Sequence, residues 1–227
     1  MKGYKSLVVG KETVLFQNLI EKNYFTEKDF ATASSEVINF KNFIDPNIED
    51  FNLPDSPGIQ YNLGFSIGEI ISKLQLHSMK EVASIYENEY NRKAPLAVST
   101  SWVYYQNKAS KNTFWHTHLD SSISTPSTHS GKQKVTKLPN YKTLVIYLQL
   151  PEDVEESGRI WFSPNKEKSL LRHNNQISKT DVNFTPKVGD VVIFPGSMPH
   201  FPEIHKGDKT RIVLGANLFL EKPKSLI

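Results

Sequence analysis

The second half of the chain is a succession of short stretches rich in β-branched and aromatic residues, with Gly or Pro in the gaps between them. No segment with helical periodicity intervenes, and this pattern is typical of an all-β sandwich or barrel. The pattern predicts strands at 96–106, 113–118, 143–150, 159–162, 182–184, 190–194, 200–204 and 210–220. Eight strands are the number found in a double-sheet jelly roll. We therefore expect a cupin-like double-stranded β-helix as the core, over residues 96–222.

The first part of the chain, residues 1–95, has a different character. Apolar side chains at 14–20 have a helix-like spacing, and those at 66–91 recur about every 3.6 residues, which predicts an amphipathic helix. The proline-containing stretch 42–64 is expected to be a loop. We therefore predict a mainly β protein with N-terminal helices. In this reading the first 95 residues form a helical and irregular elaboration that packs on the core as part of one domain.

Composition narrows the possible chemistry. The chain has 227 residues with 27 basic and 24 acidic side chains, and their even spread gives no clear nucleic-acid signal. Because Cys is absent, His, Asp and Glu are the available metal ligands. No signal peptide and no apolar run of about eighteen residues is visible, which favours a soluble cytoplasmic protein without a membrane partner. The substrate is unidentified, and a homo-oligomer is compatible with the sequence.

Two segments carry the candidate metal ligands. His116, His118 and Asp120 lie at the end of a predicted strand, and His200 follows a strand that a Pro-Gly pair interrupts. Two imidazoles and one carboxylate on one face of a metal suit ferrous iron that activates dioxygen. Because a carboxylate reduces the positive charge of the centre, His118, Asp120 and His200 are the favoured ligands. His116 is the alternative to Asp120, since residues two apart on a strand share a face.

Arg211, eleven residues after His200, is the candidate anion-binding residue. A planar guanidinium binds a carboxylate through two charge-assisted hydrogen bonds, which lysine cannot reproduce. The other interpretation is a strand-end surface charge that pairs with Asp208 or Glu203. Three polar side chains on predicted strands are candidates for hydrogen bonds to a bound ligand or to the metal ligands, with sheet packing as the alternative: Tyr105, Tyr147 and Asn217.

These residues resemble the iron(II)- and 2-oxoglutarate-dependent dioxygenase superfamily, in which H-x-D/E precedes a distal His and an Arg that grips 2-oxoglutarate. The most similar subgroup is that of small phage-associated and bacterial oxygenases. The elements that match its pattern, between residues 99 and 220, are Trp102, His116-Thr117-His118, Tyr147, Gly189-Asp190 with Phe194-Pro195, His200, and Arg211-Ile212 with Asn217. The H-x-H of this subgroup favours His116 and His118 as ligands, which keeps the choice between His116 and Asp120 open.

The resemblance implies Fe(II) and 2-oxoglutarate as cofactors and O2 as cosubstrate. It also implies that Arg211, with Tyr147 and Asn217, binds 2-oxoglutarate. The expected reaction is hydroxylation of a substrate C–H bond with release of succinate and CO2. Two other functions remain open: a metal-binding, non-redox cupin-like barrel and a catalytically inactive jelly-roll interaction module. Neither of these requires Arg211.

Overall fold

The structure is a computed structural model that describes residues 3–45, 58–63, 67–90, 96–106, 114–118, 123–125, 134–136, 142–152, 158–170 and 176–220. Its helices are α1 (Glu27–Ile44) and α2 (Glu69–Tyr90), and a 3-10 turn covers Lys166–Leu170. The strands before residue 140 are β1 (Lys5–Val9), β2 (Glu12–Asn18), β3 (Ile59–Asn62), β4 (Leu96–Gln106), β5 (Ile123–Thr125) and β6 (Lys134–Thr136). The later strands are β7 (Lys142–Gln149), β8 (Ile160–Phe162), β9 (Val182–Phe184), β10 (Asp190–Pro195), β11 (His200–Pro202) and β12 (Arg211–Leu220).

The described strands form two main sheets with antiparallel pairing throughout. The larger sheet has seven strands in the order β1-β2-β10-β7-β12-β4-β3, and the smaller has the order β11-β8-β9. Residues 114–118 join the free edge of β11 through a bridge between His116 and His200. Strands β5 and β6 form a separate pair. The prediction of a mainly β protein with N-terminal helices is confirmed.

The larger sheet is covered on both faces, and strand β10 shows how. Val191 and Ile193 belong to the core that the two helices cover, whereas Val192 and Phe194 belong to the core shared with the smaller sheet. This division follows from the alternation of side chains along a strand. A strand buried on both faces needs a continuous apolar run, as these four residues provide.

Helix α2 begins against α1. The Glu36 carboxylate of α1 accepts hydrogen bonds from the backbone N–H groups of Ile70 and Ile71, at 3.2 and 3.0 Å, in the first turn of α2. A helix start leaves such N–H groups without intrahelical partners and favours a negative charge beside them. A Cβ on Gly68 would lie 2.2 Å from the Glu36 carboxylate carbon, so a larger residue there would displace this carboxylate. Among the described residues, neither helix is apolar enough over a sufficient length to span a bilayer.

The structure confirms one predicted helix and corrects another. The periodic segment at 66–91 contains α2. The helix expected at 14–20 is wrong, because residues up to Asn18 belong to β2, which pairs with β10. Val14 and Leu15 are both buried, on opposite faces of a covered strand. Such a strand lacks the polar alternation that would distinguish it from a helix. The predicted loop at 42–64 includes the end of α1 and strand β3, and its residues 46–57 and 64 lie outside the described part.

The hydroxyl of Tyr105 ties β4 to α1 by donating a hydrogen bond to the carbonyl of Val37. We expect Tyr105→Phe to lower the free energy of unfolding by about 1 kcal/mol, the usual net contribution of a buried hydrogen bond. Urea denaturation monitored by circular dichroism measures the change. The adjacent Tyr104 is the matched control, because its buried hydroxyl has no partner among the described residues. Tyr104→Phe should leave the stability unchanged, and equal losses in both variants would contradict the assignment.

Candidate metal and anion site

Three histidines converge where residues 114–118 meet β11. His116, His118 and His200 each offer one ring nitrogen, and these atoms all lie within 4.8 Å of one another. His116 and His200 are directly opposite each other, and each N–H donates to the other's carbonyl at 3.0 Å. His118 shares the face of His116, since it lies two residues further on. The Nε2 atoms of His118 and His200 are 3.1 Å apart.

Two of these rings are oriented by carbonyl oxygens two residues earlier in the chain. Nδ1 of His116 lies 3.0 Å from the carbonyl oxygen of Phe114, and Nδ1 of His200 lies 3.0 Å from that of Met198. A carbonyl only accepts, so each Nδ1 is assigned the proton and each Nε2 has a lone pair. A hydrogen bond on the far nitrogen that fixes ring and tautomer is typical of metal-binding histidines.

The third ring, His118, is held by residues of the larger sheet. The Asn217 side chain hydrogen-bonds to it. Asn217 is itself fixed, since it donates to Thr100 Oγ1 at 3.0 Å and accepts from Thr143 Oγ1 at 2.9 Å. The Trp102 ring stacks on His118 with centroids 5.1 Å apart. His118 is therefore oriented on two sides by the opposite sheet.

Burial keeps all three imidazoles neutral. It lowers the pKa of His118 to about 3, with a further contribution from repulsion by His116. Burial also lowers the pKa of His116, and it lowers that of His200 well below its usual value. Neutral imidazole is the form that binds a metal, so at neutral pH no proton has to leave before an ion enters.

The spacing of the lone pairs fits a divalent metal. Because the proton of His200 is on Nδ1, its Nε2 presents a lone pair to Nε2 of His118, 3.1 Å away. Two nitrogens bound at right angles to an ion at about 2.1 Å would be about 3.0 Å apart. The spacing of these two nitrogens therefore suits a cation shared by the rings. Imidazole ligands suit iron, zinc, copper and nickel.

The triad opens into a cavity of about 390 Å³ between the two sheets. Its other described walls are mostly aromatic and aliphatic, with one amide and a single cation; they include Gln60, Trp102, Tyr104, Phe114, Val145, Tyr147, Ile160, Val213 and Arg211. Mostly apolar walls with a few convergent polar groups are typical of small-molecule sites.

The cation, Arg211, is 2% exposed and has only neutral acceptors in the described part of the chain. Its Nη1 donates to Gln106 Oε1 at 3.3 Å and to the Glu203 carbonyl at 3.2 Å, and its Nη2 donates to Tyr147 Oη at 3.5 Å. Nε and one hydrogen of Nη2 have no partner there, and these donors form the fork that binds a carboxylate. A buried charge without a counter-ion costs several kcal/mol, so this end of the cavity favours a small anion.

The structure brings together most of the predicted site residues. Tyr147 contacts Arg211, whereas Asn217 lies at His118. The alternative pairing of Arg211 with Glu203 is wrong for the side chain, because that carboxylate bonds to Arg159 at 2.8 and 3.1 Å. Asp120 lies outside the described residues. Tyr105 does not reach the cavity, because its hydroxyl bonds to α1.

Sequence reasoning missed Tyr104 and Gln106 on β4. Tyr104 lines the cavity, and Gln106 reaches Arg211 from the position directly opposite in the β4–β12 ladder. The available signal was the alternation of Trp102, Tyr104 and Gln106, since every second residue of a strand shares a face. Once Trp102 is placed near the histidines, the other two follow on the same side.

Comparisons with known proteins bear on the fold. No family model matches the sequence, and no curated protein does. HygX from Streptomyces hygroscopicus, solved with nickel and 2-oxoglutarate bound, aligns with a TM-score of 0.59 and 15% identity over 91% of this chain and 82% of that chain. The viral collagen prolyl hydroxylase of Paramecium Bursaria Chlorella virus-1, solved as a 2-oxoglutarate complex, gives 0.53 and 13% over 97% of each chain.

SnoK, a non-heme alpha-ketoglutarate-dependent carbocyclase from nogalamycin biosynthesis, aligns with a TM-score of 0.60 and 14% identity over 91% of this chain and 79% of that chain. This chain shares the fold of 2-oxoglutarate-dependent oxygenases. The resemblance found in the sequence is thereby confirmed at the level of fold.

Gly215 on β12 makes room for the indole that supports His118. A Cβ at this position would lie 2.1 Å from the Trp102 ring. We expect Gly215→Ala to displace Trp102, to cost about 1–3 kcal/mol of stability as other overpacked cores do, and to weaken Ni(II) binding. Calorimetric titration with Ni(II) and urea denaturation measure the two effects. A Gly215→Ala protein with wild-type Ni(II) affinity would show that the stacked indole does not orient His118.

Proposed function

We propose that this protein is an Fe(II)- and 2-oxoglutarate-dependent oxygenase that hydroxylates a C–H bond of an unidentified substrate. The balanced reaction converts R–H, O2 and 2-oxoglutarate to R–OH, succinate and CO2. The observation that carries the proposal is one cavity that holds both three convergent neutral imidazoles and a buried guanidinium that has no counter-ion among the described residues. A metal ion would bind the imidazoles, and a dicarboxylate would neutralise the guanidinium. Solved HygX structures with iron, and with nickel and 2-oxoglutarate, support this choice.

The proposed iron ligands are His116, His118 and His200. Support comes from the convergence of their ring nitrogens and from the hydrogen bonds that orient each ring. Asp120, which the sequence favoured on grounds of charge, is the alternative to His116. Asn217 is proposed to orient His118, because its side chain hydrogen-bonds to that ring and is not among the residues that line the cavity.

Arg211 is the proposed partner of the distal carboxylate of 2-oxoglutarate. Tyr147 and Tyr104 supply hydroxyl donors beside it. Burial raises the pKa of Tyr104 to about 12 although the Arg211 charge opposes the shift, and burial also raises that of Tyr147. Both phenols therefore keep their protons at neutral pH and can donate to a carboxylate.

The residues of the chain position and protect the reactants. Bound Fe(II) supplies the activation of O2, the oxidative decarboxylation of 2-oxoglutarate and the oxidation of the substrate. The three oriented imidazoles would hold the ion. Arg211 and the two phenols fix the far end of the cosubstrate, while apolar walls such as Ile160 and Val213 exclude water.

We also propose that the core is a double-stranded β-helix, on the basis of its strand order. The core contains eight strands, which we count from 1 to 8 in chain order: β4, residues 114–118, β7, β8, β9, β10, β11 and β12. In this count the larger sheet has the order 6-3-8-1 and the smaller sheet the order 2-7-4-5. This order supports a double-stranded β-helix over residues 96–222. Residues 1–95 are the proposed elaboration of a single domain, because β1-β2 and β3 extend the larger sheet at its two edges.

A direct test adds Fe(II) and then 2-oxoglutarate to the protein without air. We expect a weak visible charge-transfer band, followed by succinate when air is admitted. His200→Ala should abolish both signals, since it removes a ligand. Arg211→Ala should mainly weaken 2-oxoglutarate binding, by roughly tenfold or more for the loss of charge-assisted hydrogen bonds. Bound metal without succinate would favour a non-redox barrel, and no metal binding would favour an inactive jelly-roll module.

The choice of the third ligand has its own test. We expect His116→Ala to weaken Ni(II) binding by more than about 100-fold, because even outer-shell residues change metal affinity by up to that factor. Asp120→Asn should leave the affinity near that of the wild type. Calorimetric titration of both variants measures it, with circular dichroism as the control for folding. The reverse result would assign the position to Asp120.

A further inference from the structure

Glu203 contacts Arg211 through its backbone but turns its carboxylate away from it. Glu203 places its backbone carbonyl 3.2 Å from Nη1 of Arg211, but its carboxylate forms a two-point ion pair with Arg159. In this pair Nε and Nη2 of Arg159 lie 2.8 and 3.1 Å from the two carboxylate oxygens. Glu203 thus contacts Arg211 through its neutral backbone carbonyl and Arg159 through its charged carboxylate.

Arg159 is held in place from its other side. Its guanidinium lies over the Trp161 ring, 5.5 Å from the centroid, and its backbone carbonyl accepts from the N–H of Glu203 at 2.7 Å. Both residues flank the β8–β11 ladder, in which Pro202 pairs with Ile160. The ion pair is therefore a fixed, partly buried feature. Its side chains are 31% and 17% exposed.

Without Arg159, the Glu203 carboxylate would lose its ion-pair partner, and a contact with Arg211 would become favourable for it. Its own carbonyl already contacts Arg211, so the side chain is attached close to the guanidinium, and a carboxylate turned to that side would form an ion pair with it. A charge-assisted bond to a buried arginine is stronger than the neutral contacts that Arg211 makes in the structure. Such an internal ion pair would occupy the donors that an incoming dicarboxylate needs.

The other acceptors of Arg211 are also neutral. Gln106, opposite Arg211 in the ladder, presents an amide oxygen where a glutamate of the same length would present a carboxylate. Tyr147 presents a phenol. These dipoles orient the guanidinium, but they carry no charge that could compensate its own.

We propose that Arg159 is a positioning residue that sequesters the Glu203 carboxylate and so keeps Arg211 available to the distal carboxylate of 2-oxoglutarate. The inference rests on the proposed function, because it concerns the affinity of the same cavity for the cosubstrate. It makes the Arg159–Glu203 pair a determinant of anion binding, although neither side chain contacts the anion.

The test is a double-mutant cycle on 2-oxoglutarate binding. Arg159→Met keeps the apolar stem over Trp161 and removes the charge. Calorimetric titration of Ni(II)-loaded protein with 2-oxoglutarate at fixed ionic strength gives the dissociation constants of the wild type, Arg159→Met, Glu203→Gln and the double variant. We expect Arg159→Met to raise the constant about tenfold, the effect of one competing charge-assisted bond. In the Glu203→Gln background the same substitution should have no effect, and the Ni(II) affinity should not change.

The cycle separates this inference from general electrostatics. If Arg159 acted only through long-range charge, its removal would weaken binding equally in both backgrounds, and that additive result would overturn the inference. Lys73→Met is the matched control, since it removes one charge from the exposed Lys73–Glu69 pair on α2 and should leave binding unchanged. A tenfold loss in this control would also overturn the inference.

Gln106→Glu provides an independent variant that does not alter Arg159. It places a carboxylate against Nη1 of Arg211 and should weaken 2-oxoglutarate binding at least as much as Arg159→Met. Wild-type affinity in this variant would overturn the inference. A wild-type protein that binds Ni(II) but no 2-oxoglutarate would instead overturn the proposed function itself. These outcomes distinguish the failure of the inference from the failure of the function.

Discussion

The backbone bridge between His116 and His200 is the contact on which the site depends. Reciprocal hydrogen bonds at 3.0 Å fix the register of residues 114–118 against β11. Strand alternation then sends both imidazoles into the cavity and sends their neighbours, Trp115 and Phe201, to the other face, where the rings pack edge to face 4.6 Å apart. A slip of one residue would exchange the two faces. The register of one short pairing therefore decides whether a metal site exists.

The outer face of this pairing is covered by the segment that follows β8. Lys168 lies over the Trp115 ring, 4.4 Å from the centroid, and its ammonium bonds to the buried carboxylate of Asp181. This cation–π contact and ion pair close the smaller sheet from outside. The histidine segment is thus packed from behind as well as oriented from within the cavity.

Much of this arrangement could be predicted from the sequence, and the exceptions have identifiable causes. The separations along the chain between His118, His200 and Arg211 follow from the order of the strands that carry them, so the sequence pattern could identify these residues. Tyr105 and Tyr104 are adjacent and chemically alike, so only the tertiary structure decides which one faces the cavity. The early strand β2 resembles a helix because both of its faces are buried. The contact of Asn217 with His118 spans two sheets, and no local pattern encodes it.

The residues proposed to bind the metal and those proposed to bind the distal carboxylate of 2-oxoglutarate lie on different sheets. His116 and His200 lie on the smaller sheet, whereas Arg211, Tyr147 and Tyr104 lie on the larger one. His118 connects them, since it follows His116 in the chain and hydrogen-bonds to Asn217 of the larger sheet. A dicarboxylate held by Arg211 at one end and by a metal at the other would join the sheets a second time. Binding energy would then stabilise the spacing of the sheets as well as the ligand, because a ligand that binds only the folded state stabilises that state. A carboxylate of the protein beside Arg211 would neutralise the guanidinium and remove its attraction for an incoming dicarboxylate, and the ligand would then lose the contact that joins it to the larger sheet.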